Sequence, residues 1–321
     1  MKGNQAQDLG GLTRLWGGFR ASRVILTANN LGLFEEVKGG ATAESMSRSL
    51  RTDPRATEIL LDALAALGLL AKARGAYRLT PVSKRYLLPD SPLYQGDMLR
   101  HADTLWKNWS GLDEVVRTGR PNRSGERHHD TFIRAMHNNS VLRAPAVIDA
   151  IGLKGVRRAL DLGGGPGTYS IEMAKRGIEV TLFDHPDTVE VAQEMISRAG
   201  TKKITFRGGD FHFDDLGGPY DLALLSQVLH SHGPVENRAL LCRVYDALNP
   251  KGRAAVHEFT LAADHAGPVP GALFSVNMLV NTADGRSYAP GEIREWMKKA
   301  GFRSIRTVAL GETTVVIGRK R

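Results

Sequence analysis

The chain has 321 residues, 42% of them hydrophobic and 24% charged; this is the composition of a soluble globular protein of about two domains and excludes a disordered, collagenous or coiled-coil chain. A single cysteine, Cys242, excludes an internal disulfide and a cysteine-rich zinc site, and no stretch reaches the ~18 uncharged apolar residues of a membrane span, since the richest, residues 59–71, carries Asp62. Lys and Arg outnumber Asp and Glu by 43 to 34, for a net charge of +9; that field admits an acidic ligand or nucleic acid, but the basic residues are scattered, with one dense run at Gly318-Arg319-Lys320-Arg321.

Met1 to Gln5 lack the apolar run of a secretory signal, so a cytoplasmic protein without membrane contact is expected. Up to Met98 the pattern is helical with one hairpin. Phe19, Val24, Ile25, Ala28, Leu31, Leu33 and Phe34 recur at helical spacing, and Gly32 marks a stop. A second helix is predicted over 42–50. Asp53-Pro54 opens a third, with proline at the first helical position and Ile59, Leu60, Ala63, Leu64, Leu67 and Leu70 as its apolar residues. Residues 70–80 form two short strands around Gly75. Three helices and a hairpin are the order of a winged-helix domain. A DNA-reading helix should carry Arg, Lys, Asn or Gln toward base edges. Beyond Arg55, the third helix offers Thr57, Glu58 and Asp62. Dimerisation or substrate capping is therefore expected of residues 1–98, and no nucleic-acid partner.

Residues 99–150 form a helical connector, the first part of a second region spanning 99–321. Trp106, Trp109, Leu112, Val115 and Val116 make an apolar stripe that ends at Gly119-Arg120-Pro121. His128 and His129 close a polar loop. They have no Cys, Asp or Glu at ligand spacing, so they are expected to be exposed and no metal is predicted. From Val156 onward strands and helices alternate. The strands are 159–162, 180–183, 204–206, 222–225, 254–257 and 315–317; the helices are 170–176, 187–198, 236–248 and 292–299. This alternation predicts an α/β fold with a doubly wound parallel sheet.

Asp161-Leu162-Gly163-Gly164-Gly165-Pro166-Gly167-Thr168 follows the first of these strands and opens a helix. Glycines there let backbone N–H groups approach a ligand closely. A dinucleotide fingerprint needs a third glycine five residues after its first. From Gly163 that position is Thr168 and from Gly165 it is Ser170, so the NAD pattern fails. The loop suits a ligand with a carboxylate and an amino group, such as S-adenosylmethionine (SAM). Asp184 ends the next strand, 21 residues after Gly163, where a carboxylate can accept ribose hydroxyls. Asp210 ends the third strand, placed to accept from an adenine amino group, with Phe211 beside it.

With these motifs in place, the chain resembles the caffeate and hydroxyindole type of SAM-dependent O-methyltransferase along nearly its whole length. Arg23 to Phe34 resembles the family's dimerisation helices, Ala159 to Ser170 its cofactor loop, and Phe183-Asp184-His185-Pro186 its ribose segment. Ser226-Gln227-Val228-Leu229-His230 resembles the segment that carries the catalytic base. The resemblance implies a Rossmann-like class I methyltransferase domain behind a winged-helix dimerisation domain. It also implies a homodimer, SAM as cofactor and a small aromatic hydroxyl as acceptor.

It further implies roles for single residues. His230 is the base, with a free imidazole pKa of about 6.5 suited to a phenol near ~10, and Glu258 orients it, as a carboxylate fixes the tautomer in a triad. Met136 and Met278 grip the acceptor ring. Ser140 and Ser226 join Asp161, Gly163, Gly165, Asp184, Asp210 and Phe211 at the cofactor. Two departures stand out: Ser231-His232 replaces the usual Asp-Trp after the base, and a second family glutamate near Gly285 is not evident. They leave open methylation of nitrogen, carbon or sulfur, and a SAM-sensing DNA-binding regulator remains a further alternative.

Overall fold

The computed structural model describes residues 6–123 and 129–321, in two compact units, 1–105 and 106–321. His128 lies outside the described residues. The division falls inside a helix, seven residues after the Met98 at which the sequence pattern changes.

The N-terminal unit runs α1 (Leu9–Gly17), α2 (Phe19–Asn30), α3 (Leu33–Glu36), β1 (Ala41–Thr42), α4 (Ala43–Leu50), α5 (Pro54–Ala66), β2 (Leu70–Ala73), β3 (Ala76–Leu79), α6 (Pro81–Tyr86) and most of α7 (Gly96–Trp109). Side-chain oxygens define its helix starts. Thr42 accepts from Ser45 N–H, and Asp53 accepts from Ala56 N–H at 2.7 Å just ahead of Pro54. The apolar stripe of 19–34 is two helices, because Gly32 sits at φ +69 and turns the chain. The hairpin is joined by β1 into a three-stranded sheet, β1-β3-β2. Asp62 on α5 accepts from Tyr77 Oη at 2.6 Å and Lys72 Nζ at 2.7 Å, so its carboxylate ties α5 to the hairpin. Helix α1 was not foreseen.

The second unit continues with α8 (Leu112–Thr118), α9 (His129–Ser140), α10 (Ala144–Ile151), β4 (Arg158–Leu162), α11 (Thr168–Lys175), β5 (Glu179–Asp184), α12 (Pro186–Arg198), β6 (Ile204–Gly208) and β7 (Tyr220–Ser226). It ends with α13 (Pro234–Asp246), β8 (Leu248–Phe259), α14 (Val269–Asn281), α15 (Pro290–Lys299), β9 (Arg303–Leu310) and β10 (Thr313–Arg319). His129 is exposed, as expected, but it opens a helix and bonds Thr188 Oγ1 at 3.2 Å. The seven strands order as β6-β5-β4-β7-β8-β10-β9. The wholly parallel sheet expected from the sequence is mixed, because β10 runs antiparallel to both its neighbours. Strand β9 and helix α14 were missed. Strand β8 already begins at Leu248, where the helix of 236–248 was drawn to its end.

Both faces of the sheet are buried. Leu160, Leu162, Ala223, Leu225 and Val256 pack on one side; Ala159, Leu222, Leu224, Ala255 and Val315 pack on the other. This is the period-2 alternation of strands covered on both faces. Strand order reverses between β4 and β7, so a crevice opens at the carboxyl ends of these strands, where open α/β sheets bind ligands.

Candidate active site

The loop after β4 turns through Gly163 at φ +67 and Gly165 at φ +52, backbone that favours glycine. A Cβ at Gly163 would stand 2.7 Å from Val228 Cγ2, so the loop lies tight against the β7 turn. A Cβ at Gly165 would meet nothing within 4 Å, so that residue borders open space. This cradle of bare backbone beside acidic strand ends fits a ligand bearing ammonium and carboxylate groups, as SAM does.

Asp161 sits under the loop, 1% exposed, and accepts from Ser170 Oγ at 2.7 Å. Burial pushes its carboxyl pKa up to about 6, against the bond from Ser170, with the Asp184 charge adding to the rise. The ionised form is therefore a cost to the unliganded fold, in full above that value and relieved as pH falls through it. Asp161→Asn should remove this term. The melting temperature of the variant relative to the parent should then rise between pH 5 and pH 8 by the equivalent of about 1 kcal/mol, read by calorimetry without cofactor. Equal differences at the two pH values would refute the raised pKa.

Asp184, at the end of β5, accepts from Gly165 N–H at 2.8 Å and from its neighbour His185 N–H at 2.7 Å. The carboxylate keeps acceptor capacity for a ligand hydroxyl. Burial also raises this carboxyl above its usual range. Asp210 caps its own turn by accepting from His212 N–H at 2.8 Å. Phe211 is buried beside it, and the His232 ring meets Phe211 edge-on at 5.7 Å and His212 edge-on at 4.6 Å. Burial and the His212 charge lower the His232 pKa. The position expected to hold a family tryptophan thus carries a flat ring in an aromatic cluster.

His230 lies in a short 3₁₀ turn, Leu229–Ser231, that follows β7. Its Nδ1 is 2.7 Å from Glu258 Oε2, and Glu258 Oε1 accepts from the N–H groups of Leu229 at 2.9 Å and His230 at 3.4 Å. One carboxylate, 3% exposed on β8, fixes both ring and backbone. With Nδ1 donating to Glu258, Nε2 is the lone-pair nitrogen. Asn237 Nδ2 donates to the carbonyls of Leu229 at 2.9 Å and His232 at 3.2 Å, and Tyr288 Oη donates to His232 O at 2.5 Å. The base turn is therefore held without a second glutamate.

Phe274 on α14 meets the His230 ring edge-on at 4.8 Å and packs on Phe259 at 4.2 Å. Met278 lies one turn further along α14 and is buried; Met136 lies half-buried on α9. Ser226 ends β7 with its Oγ 2.9 Å from His257 Nδ1. Ser140 ends α9, near the Tyr169 hydroxyl. Tyr169, Asn237 and Tyr288 escaped the sequence reading, although Tyr169 follows the glycine loop; the stretch from Phe274 to Met278 is expected from the sequence to line the acceptor pocket, and His257, which precedes Glu258, is given no role there beside the cofactor.

A mixed seven-stranded sheet with a glycine cradle, acidic strand ends and a His–Glu pair at the switch point defines a methyltransferase of the Rossmann-like class. Comparison with known proteins sharpens this. Residues 97–303 match the O-methyltransferase domain family and residues 13–89 match the O-methyltransferase dimerisation domain. The chain is 35% identical to the 3-hydroxy-5-methyl-1-naphthoate 3-O-methyltransferase of Streptomyces sahachiroi, over 96% of this chain and 94% of that one. It is 33% identical to bovine (Bos taurus) acetylserotonin O-methyltransferase, over 94% and 95%. The human N-acetylserotonin methyltransferase structure in complex with SAM superposes with a TM-score of 0.89 at 29% identity, covering 100% of this chain and 99% of that one. The chain belongs to the O-methyltransferase family and is a SAM-dependent enzyme.

Proposed function

We propose that the enzyme methylates the hydroxyl group of a small aromatic acceptor, with His230 as its base. The observation that carries this is the 2.7 Å bond from His230 Nδ1 to the buried Glu258 carboxylate, which leaves Nε2 to take the hydroxyl proton. SAM, once bound, supplies a methyl group already activated on a sulfonium, so holding the acceptor in line contributes most of the acceleration, on the order of 7–11 kcal/mol. Asp161, Asp184, Asp210, Phe211, Ser140, Ser226 and the bare backbone of Gly163 and Gly165 hold the cofactor. Met136, Met278 and Phe274 bound the acceptor, and soft methionine side chains suit an aromatic plane. Glu258 keeps the imidazolium paired once the proton has moved.

The N-terminal unit serves as a winged-helix dimerisation module. On α1 and α2, Leu9 is 73% exposed and Trp16 and Phe19 are each 53% exposed; a second copy of the chain would cover them, as suits a family with a dimerisation domain. On α5, Asp62 is already bonded within the unit and is not turned to a nucleic acid. Among the described residues no helix is long and apolar enough to cross a membrane. One exposed cysteine fits a cytoplasmic enzyme.

The test is S-adenosylhomocysteine release across phenols, catechols, hydroxyindoles and hydroxybenzimidazoles, with product identification. A methyl ether from at least one is expected. An N-, C- or S-methyl product in its place would overturn the acceptor assignment.

A further inference from the structure

Strand β8 ends in two charged or polar residues of opposite orientation. Alternation sends Val256 and Glu258 to one face and Ala255 and His257 to the other, and the cores record it: Val256 packs in one, Ala255 in the other. Glu258 grips the base turn. The use of His257 is open.

His257 is 1% exposed. Two hydroxyls converge on its Nδ1, Ser226 Oγ at 2.9 Å and Tyr169 Oη at 3.4 Å, and the Tyr169 ring meets it edge-on at 5.9 Å. The Tyr169 hydroxyl also lies close enough to the Ser226 and Ser140 hydroxyls to feel them. Burial lowers the imidazole pKa to about 4, against the Glu258 charge, so the ring is neutral at pH 7. The Nε2 atom is buried without a hydrogen-bond partner among the described residues, so the polar contacts of the ring lie at Nδ1. An unpartnered buried ring nitrogen is costly to the fold, and an apolar side chain there would avoid that cost, so any use of the histidine lies at Nδ1. The backbone agrees: Gln227, at φ +61, donates its N–H to His257 O at 2.8 Å, so the same residue braces the strained turn between Ser226 and the base.

We infer that His257 is the positioning residue of the cofactor half of the site, fixing the Ser226 and Tyr169 hydroxyls as Glu258 fixes the base half. The inference rests on Ser226 meeting the cofactor, the reading given above.

The experiment measures SAM affinity by calorimetry and steady-state kinetics on the full-length enzyme. His257→Leu should weaken SAM binding and raise its KM about tenfold, the scale of one lost hydrogen bond. The acceptor KM and kcat at saturating SAM should move less than about threefold by comparison. His257→Asn, whose amide oxygen reaches the place of Nδ1, should restore most of the affinity; His257→Gln should not. Ser226→Ala should lose a similar factor, and Ser226→Ala with His257→Leu no more than either alone. If His257→Leu fails to fold, Tyr169→Phe and Ser226→Ala carry the test with the same selective loss of SAM affinity. Unchanged SAM affinity in the folded variants, or equal losses in kcat and both KM values, would overturn the inference. If Ser226→Ala binds SAM normally while His257→Leu does not, the assignment of Ser226 to the cofactor fails instead.

Discussion

His230→Ala should lower kcat by roughly 10²–10⁴-fold on a phenolic acceptor, the range for loss of a positioned general base, with SAM affinity little changed. Glu258→Gln should cost nearly as much, for a reason the hydrogen bonds supply. Glu258 Oε1 accepts from the Leu229 and His230 N–H groups and Oε2 faces His230 Nδ1. A glutamine must keep its oxygen on the backbone donors, which turns its NH₂ toward Nδ1. Nδ1 then becomes the acceptor, the proton moves to Nε2, and the nitrogen facing the acceptor loses its lone pair. The fold survives because the backbone bonds remain. Comparing kcat, SAM binding and melting temperature for the two variants checks this. Activity within tenfold of the parent in His230→Ala would remove the base and leave positioning alone to drive transfer.

The parts of this site that were legible in the sequence are those in which local chemistry and function coincide. Gly163 and Gly165 announce themselves because the backbone there is left-handed, and few other residues tolerate it. Asp161, Asp184 and Asp210 fall at strand ends, which a change of period from 2 to 3.6 locates. His230 and Glu258 were legible only through likeness to a family, since a separation of 28 positions carries no spacing rule. The positioning role of His257 was not legible because it depends on the alternation of β8 and on a tyrosine from α11. The reversed β10 was equally hidden: a fully buried strand reads the same in either direction. Helix α14 was missed because Val269–Asn281 is apolar on most sides, with no polar face to set a period.

Gly285→Ala should lower kcat about 10²-fold, the penalty that a misplacement of about 1 Å can carry, although the added methyl touches no reacting group. A Cβ at this position would lie 2.4 Å from the His230 carbonyl oxygen, 2.5 Å from Thr282 Oγ1 and 3.1 Å from the Ser231 carbonyl carbon. Non-bonded heavy atoms settle near 3.5–4 Å, so something must retreat by about 1 Å. Thr282 cannot simply rotate away, because its hydroxyl donates to Met278 O at 2.7 Å and accepts from Gly285 N–H at 3.0 Å. The base turn is pinned from its other sides by Asn237, Tyr288 and Glu258, so the strain falls on the segment whose geometry sets the reach of Nε2. The cofactor cradle lies on other loops, and SAM affinity should hold within about threefold if only the base turn moves. Activity near that of the parent would show that the 282–285 turn yields instead.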